Sequence, residues 1–479
     1  MIVKAVFSPY LDAIAPGLKQ LAALLGEKYD YVSVLSTDSV GFAVSISQRA
    51  KAVNHSTMTT ERGSVVRVCR GGLYSEYAFN RFDPAHPERT AAEAERALEE
   101  QFALLRATDS AVYETPVLPD EPCVLREEME TGSMPEDCDL GALVERFTEI
   151  SARGVAAGEH AIDCHVRGQS THVCKLFLTA GRDMRQSYVY SEGMVAVIAS
   201  KDGAVKFGFD SVSGREGPEL FGKLDELAEK VAGIAEELLV AERIEPGEYE
   251  VIVSPEISGL IAHEAFGHGV EMDMFVKNRA LGAQYIGKRV GSDLVTMHEG
   301  AKPEIEVASY AFDDEGTLAH DTVEIRNGIL KTGVCDALSA LRLGVEPTGN
   351  GKRENFEHKV YTRMTNTVFE SGESTLEEMI ATVKHGYLLR GMQSGMEDPK
   401  HWGIQCILDR GYEIRDGKLT GRIVSPIVMT GYVPELLGSI SMLSRDHELF
   451  GSGFCGKGHK EWVKVSDGGP YMKAKARLG

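Results

Sequence analysis

At 479 residues, with 43% apolar and 26% charged side chains, the chain is too long for one ordinary core and reads as a soluble globular protein of two or three domains. Its net charge of −21 disfavours nucleic acid as a partner, because phosphate binding needs a basic footprint, which here would have to be local. No apolar run has membrane-spanning length, the first residues lack the basic start and cleavage site of a signal peptide, and eight scattered cysteines without a Cys-x-x-Cys point to reduced thiols in the cytoplasm.

In chain order, Leu11, Ile14, Leu18, Leu21, Leu24 and Leu25 mark a helix over 9–28, and β-rich segments follow near 31–36, 41–47, 64–70 and 73–79. A second helix spans 88–106. The Pro-rich acidic passage from Thr115 to Pro135 reads as a surface connection. A third helix at 140–156 precedes five strand-like runs between 160 and 210, separated by Gly168, Gly181, Gly193 and Gly203, which predict an antiparallel sheet. A helix over 217–242 closes this half, and Glu245-Pro246-Gly247 is the expected domain boundary. Asn327-Gly328 and Asp416-Gly417 are hairpin signals, and helices are expected near 374–385 and 433–443. The expected fold is α+β, with helices and antiparallel strands partly segregated, an antiparallel sheet in a first domain over 1–244 (subregions 1–135 and 136–244) and a second domain over 245–479.

The densest chemistry lies in Ser254–Glu271. Ser254 suits an N-cap and Pro255 the first helical position, and Ile257, Leu260, Ile261 and Ala265 form one buried face. Inside this helix stands His263-Glu264-x-x-x-His268. Zincins use His-Glu-x-x-His, which puts two imidazoles on one face. The extra residue would leave the rings about 140° apart on a straight helix, and a π-bulge would close that gap. Gly267 and Gly269, flanking His268, tolerate such distortion.

The glycine-rich stretch Gly451–His459 allows two readings. As a phosphate loop it lacks the final hydroxyl, since Gly458 stands there, and a strand rather than a helix follows. Alternatively Cys455 is a thiolate ligand, which zinc accepts beside two imidazoles. Glu271, Asp273, His298 and His320 are other candidates for the third ligand. No Gly-x-Ser-x-Gly elbow supports a serine hydrolase.

The segment His263–Glu271 resembles the His-Glu-x-x-x-His segment of the TldD/PmbA peptidases. Glu61–Val68, Thr362–Thr367 with Gly372-Glu373-Ser374, and Gly451–Lys457 with Gly468-Gly469-Pro470 resemble the TldD branch in the same order. The resemblance implies a zinc peptidase with an N-terminal α/β domain and a β-rich C-terminal domain carrying the site, whose ligands are His263, His268 and Cys455. It also implies a homodimer, or a heterodimer with a PmbA-like paralogue. Two imidazoles and a thiolate leave zinc one open position, and Glu264 is the candidate general base. A thiolate makes a weaker Lewis acid, so a slow, confined peptidase is expected, and the resemblance implies extended or unfolded peptides entering an enclosed cleft. The alternative is a non-catalytic zinc-binding subunit that shapes a partner's cavity. One departure is that Gly458-His459-Lys460-Glu461 follows Cys-Gly-Lys where the family has a residue and then Gly-Gln. His459 thereby becomes a candidate transition-state donor or a surface residue.

Overall fold

The computed structural model describes residues 2–108, 112–458 and 461–479. Two large sheets carry the α+β architecture. In the first half, an eight-stranded sheet runs in the order Ala204–Gly214, Arg182–Lys201, Ala161–Leu178, Tyr31–Ile46, Arg62–Arg70, Leu73–Phe79, with Lys51–Asn54 and Cys123–Glu128 paired off this path. One face is covered by helices. Pro9–Gly26 and Pro87–Ala107 pack over Val34, Val66 and Leu176, while Leu140–Ala157 and Leu227–Val240 pack over Val44, Val166 and Val197. Alternate residues face the other way, so Val173, Tyr188 and Tyr190 meet Val307 and Tyr310 of the second half.

The strands between 160 and 210 number three rather than five. Gly168 pairs with Gly193 inside a continuous ladder. A Cβ on Gly168 would lie 2.8 Å from the rings of both Phe147 and Phe221, so this glycine lets helices approach the sheet and does not end a strand. The Pro-rich passage also departs from expectation. Its residues Cys123–Glu128 form a strand parallel to Arg182–Lys201. Over 217–242, the residues before Leu227 are 3₁₀ rather than α-helical. The helix expected at 433–443 stops at Gly438, and Met442–Phe450 is a strand.

The second half is built on an eleven-stranded sheet in which Ser466–Leu478 lies between Ile427–Tyr432 and Asn366–Phe369. Gly247–Val253 pairs antiparallel with Ser466–Leu478 and parallel with His385–Asp398, then runs directly into the helix Pro255–Leu260. Asn327-Gly328 and Asp416-Gly417 make tight turns with positive φ at both residues, as their sequence requires. Among the described residues no helix is long and apolar enough to cross a membrane.

Candidate metal centre

The buried face that periodicity marks after Ser254 anchors the site. Ile257, Leu260, Ile261, Ala265 and Phe266 are buried in the main core of the second half. The helix is α from Pro255 to Leu260, becomes a π-helix over Ile261–Gly267, and ends in a 3₁₀ turn over His268–Val270. The backbone N–H of His268 donates to the carbonyl of His263, five residues back. That wide step brings the two rings together, with centroids 5.1 Å apart and planes at 84°. Ser254 occupies the cap position, but its side chain accepts no capping bond.

The glycines act by size rather than by conformational freedom. Gly267 has ordinary helical angles (φ −53°, ψ −52°). A Cβ there would lie 2.1 Å from Met364 Sδ, and one on Gly269 would lie 2.8 Å from Trp402 Nε1 and 2.9 Å from Glu397 Oε1. Both let other chain segments close onto the histidines.

Cys455 comes from the hairpin of Phe454–Lys457 with Glu461–Lys464. Its sulfur lies 3.3 Å from His268 Nε2, and one donor atom from each of His263, His268 and Cys455 falls within 4.8 Å of the others. The hairpin is clamped from below. Buried Arg363 donates through Nη2 to the carbonyl of Cys455 (2.5 Å) and through Nη1 to that of Glu461 (3.0 Å).

Glu271 and Asp273 are not in this triad. His268 Nδ1 donates to Glu271 Oε2 at 3.1 Å, which fixes the tautomer that turns Nε2 toward Cys455. Lys457 Nζ donates to Glu271 (3.0 Å), Asp273 (2.8 Å) and the carbonyl of Thr362 (2.9 Å). This lysine is a structural tie, and no phosphate loop is formed. His298 instead sits between Asp321 and Glu370, and His320 is exposed. His459 lies outside the described residues.

The electrostatics suit a cation. Burial would push the Cys455 thiol up, but His268 and His263 outweigh it and hold it well below its usual range. Burial opposes protonation of His268, yet Cys455 and Glu271 hold it well above normal. The Glu271 carboxyl is held down at about 2 by Lys457 and His268 against its burial. Burial raises Glu264, with the two imidazoles opposing, and its Cγ packs where Gly395 leaves room in His385–Asp398.

Three groups were not legible as site residues. Both carboxylate oxygens of Glu397 are buried without hydrogen-bond partners, and burial raises its carboxyl to about 9. Asp467, on the central strand, is raised to about 7 by burial. Both lie far along the chain from His263, in strands whose sequence carries no metal-site spacing. Arg363 stands within the Thr362–Thr367 motif, and its full burial, which the sequence does not disclose, is what marks it.

A family model of the PmbA/TldA metallopeptidase C-terminal domain matches residues 246–476. Over 469 residues the chain is 27% identical to a metalloprotease of Synechocystis sp., covering 97% of both proteins. It is 33% identical over 281 residues to a metalloprotease of Methanocaldococcus jannaschii, spanning 59% of this chain and 61% of that protein. It is 31% identical over 230 residues to a zinc metalloprotease TldD homolog of Saccharolobus solfataricus, spanning 48% and 51% of the two. The crystal structure of TldE from Thermococcus kodakarensis shares the fold, with a TM-score of 0.75 at 19% identity, covering 97% of this chain and all of that one. Residues 246–476 match the C-terminal domain of the PmbA/TldA metallopeptidases, and the similarity to the Synechocystis metalloprotease runs the length of the chain.

Proposed function

We propose that the protein is a zinc-dependent peptidase that hydrolyses extended or unfolded peptides in an enclosed cleft. The observation that carries this reading is the convergence of His263, His268 and Cys455 beside Glu264. The donor set fits zinc, which binds imidazole nitrogen and thiolate sulfur and, with three protein ligands, keeps a fourth position open. His263 Nδ1 is buried without a hydrogen-bond partner, as expected of a ring whose orientation a metal would fix.

Zinc, when bound, supplies Lewis acidity, lowering the pKa of a coordinated water to about 7 and polarising the scissile carbonyl. The chain's own part is to place and to move protons. Glu264 Oε, beside His263, takes the proton of the attacking water and returns it to the leaving amine. Glu271 holds the His268 ring in the tautomer that presents Nε2. Arg363 and Lys457 keep the Cys455 hairpin from drifting away from the helix. The same reading makes the working form a cytoplasmic homodimer or a pair with a PmbA-like paralogue, which sedimentation with and without the paralogue distinguishes.

The test uses purified protein, a random-coil peptide and a chelator. Wild type is expected to cleave, and to stop cleaving when zinc is stripped. Glu264→Ala should lose hydrolysis by about 10²-fold or more while retaining zinc, as removal of a general base does. Loss of zinc from that variant would show that Glu264 is a ligand rather than a base. Wild type that binds zinc yet cleaves nothing, alone or with a partner, would leave the scaffold reading. Cys455→Ser should retain less zinc on dialysis, and unchanged content would remove Cys455 from the ligand set.

A further inference from the structure

Against the acidic character of the whole chain stands one groove of about 820 Å³ at the junction of the two halves. One wall comes from Leu73–Phe79 and from the end of Pro87–Ala107, and the other from residues 277–359 of the second half. Four cations and a single carboxylate line it. The carboxylate, Glu76, is already held by Arg67 and Arg353. Lys277 pairs with Asp273, whereas Arg342 and Lys359 have no carboxylate within 4 Å among the described residues. Arg342 instead donates to Thr115 Oγ1 and lies over the Tyr113 ring, and Lys359 lies over Tyr361.

Between these cations the surface is apolar. Leu104 is 71% exposed and Tyr113 44%, with Leu105 and Leu338 beside them. A large apolar side chain left in water next to unpaired positive charge marks a binding surface better than either feature alone. The groove also connects to the metal centre. Lys277 shares Asp273 with Lys457, Lys457 shares Glu271 with His268, and each link is 2.8–3.1 Å long.

We infer that this groove docks a peptide segment in which an apolar side chain is flanked by aspartate or glutamate. The apolar residue lies against Leu104, Leu105 and Tyr113, and the carboxylates pair with Lys359 and Arg342. This assigns a substrate class to the peptidase proposed above and rests on that reading only for calling the peptide a substrate. Docking itself is independent of cleavage.

The experiment measures fluorescence anisotropy with the full-length Glu264→Ala protein and labelled peptides that are N-acetylated and C-amidated, so that only side chains carry charge. A Leu/Glu-rich peptide should bind about 10-fold or more tightly than its Gln-for-Glu counterpart, and added salt should narrow the gap. Lys359→Glu and Leu104→Ser, both at exposed positions, should each weaken the acidic peptide about 10-fold while melting like the parent. Equal affinity for the two peptides, or binding indifferent to both substitutions, overturns the inference. So does a finding by sedimentation that Leu104→Ser dissociates a dimer of a protein that binds no peptide, because the groove is then an interface between copies. Wild type that cleaves neutral peptides while the acidic one fails to bind leaves the peptidase reading intact and removes this one. Tight, groove-dependent binding without any cleavage does the reverse.

Discussion

Gly267 shows how one missing methyl group can set a site. Its hypothetical Cβ falls 2.1 Å from Met364 Sδ, and Met364 in turn packs with Cys455, Val463 and Val465. Gly267→Ala should push Met364 toward the hairpin, cost about 1–3 kcal/mol of stability as overpacking does, and lower zinc affinity in a competition titration. Pairing it with Met364→Ala should recover part of the affinity, whereas a strained backbone would not be relieved by that second change. Lys457 makes a complementary case. Lys457→Met would leave Glu271 and Asp273 buried without their shared cation, and urea unfolding should register a loss of about 3 kcal/mol or more. The spacing of His263 and His268 was legible because five residues cannot bring two rings together on a regular α-helix. The part played by the glycines was not, because only the fold reveals that Met364 and Trp402 press against them.

At the scale of elements, the π-helix and the Cys455 hairpin are local structures that hold each other in place. Long strands were harder to read than helices. Helices declare themselves through periodicity, as Leu11 to Leu25 do, whereas Gly168 and Gly193 resemble turn residues until Phe147, Phe221 and Leu224 are seen packed over them. The same strands carry a pH-sensitive tie. His172, on Ala161–Leu178, reaches Glu136 through Nδ1 (2.6 Å) and Ser187 through Nε2 (2.8 Å). Burial opposes its charge, but Cys174 and Glu136 raise its pKa from 6.5 to about 9. The stability it contributes is therefore complete below about pH 6.5, falls between 6.5 and 9, and is absent above. With Glu136 partly exposed to solvent, that amounts to about 1 kcal/mol. Urea midpoints at pH 6 and 9.5 should differ more for wild type than for His172→Gln, and identical differences would remove His172 as the cause.

For the molecule as a whole, we propose that the chain divides between residues 244 and 245, where residues 245–248 are exposed. Limited proteolysis should nick this stretch first and leave two fragments that co-elute. They are joined by Arg67 with Glu315, Lys175 with Asp314 and Lys464 with Glu192, besides the apolar contact around Tyr310. The Glu61–Val68 motif finds its explanation at this junction. Phe356 donates its N–H to Glu61, and its ring covers Gly63 so closely that no Cβ would fit. A motif remote from His263 in sequence thus serves the mating of the two halves, which neither composition nor periodicity could disclose.

The placement of Ser466–Leu478 has a consequence for how the molecule is made. This strand is flanked by Ile427–Tyr432, Asn366–Phe369 and Gly247–Val253, and the hairpin holding Cys455 lies just before it. As the polypeptide leaves the ribosome, the stretch containing both histidines emerges long before the thiol and the strand that completes its sheet. A nascent chain interrupted upstream of Cys455 has neither the third member of the candidate triad nor the staple of its scaffold, so translation must pass that point before the site can be complete.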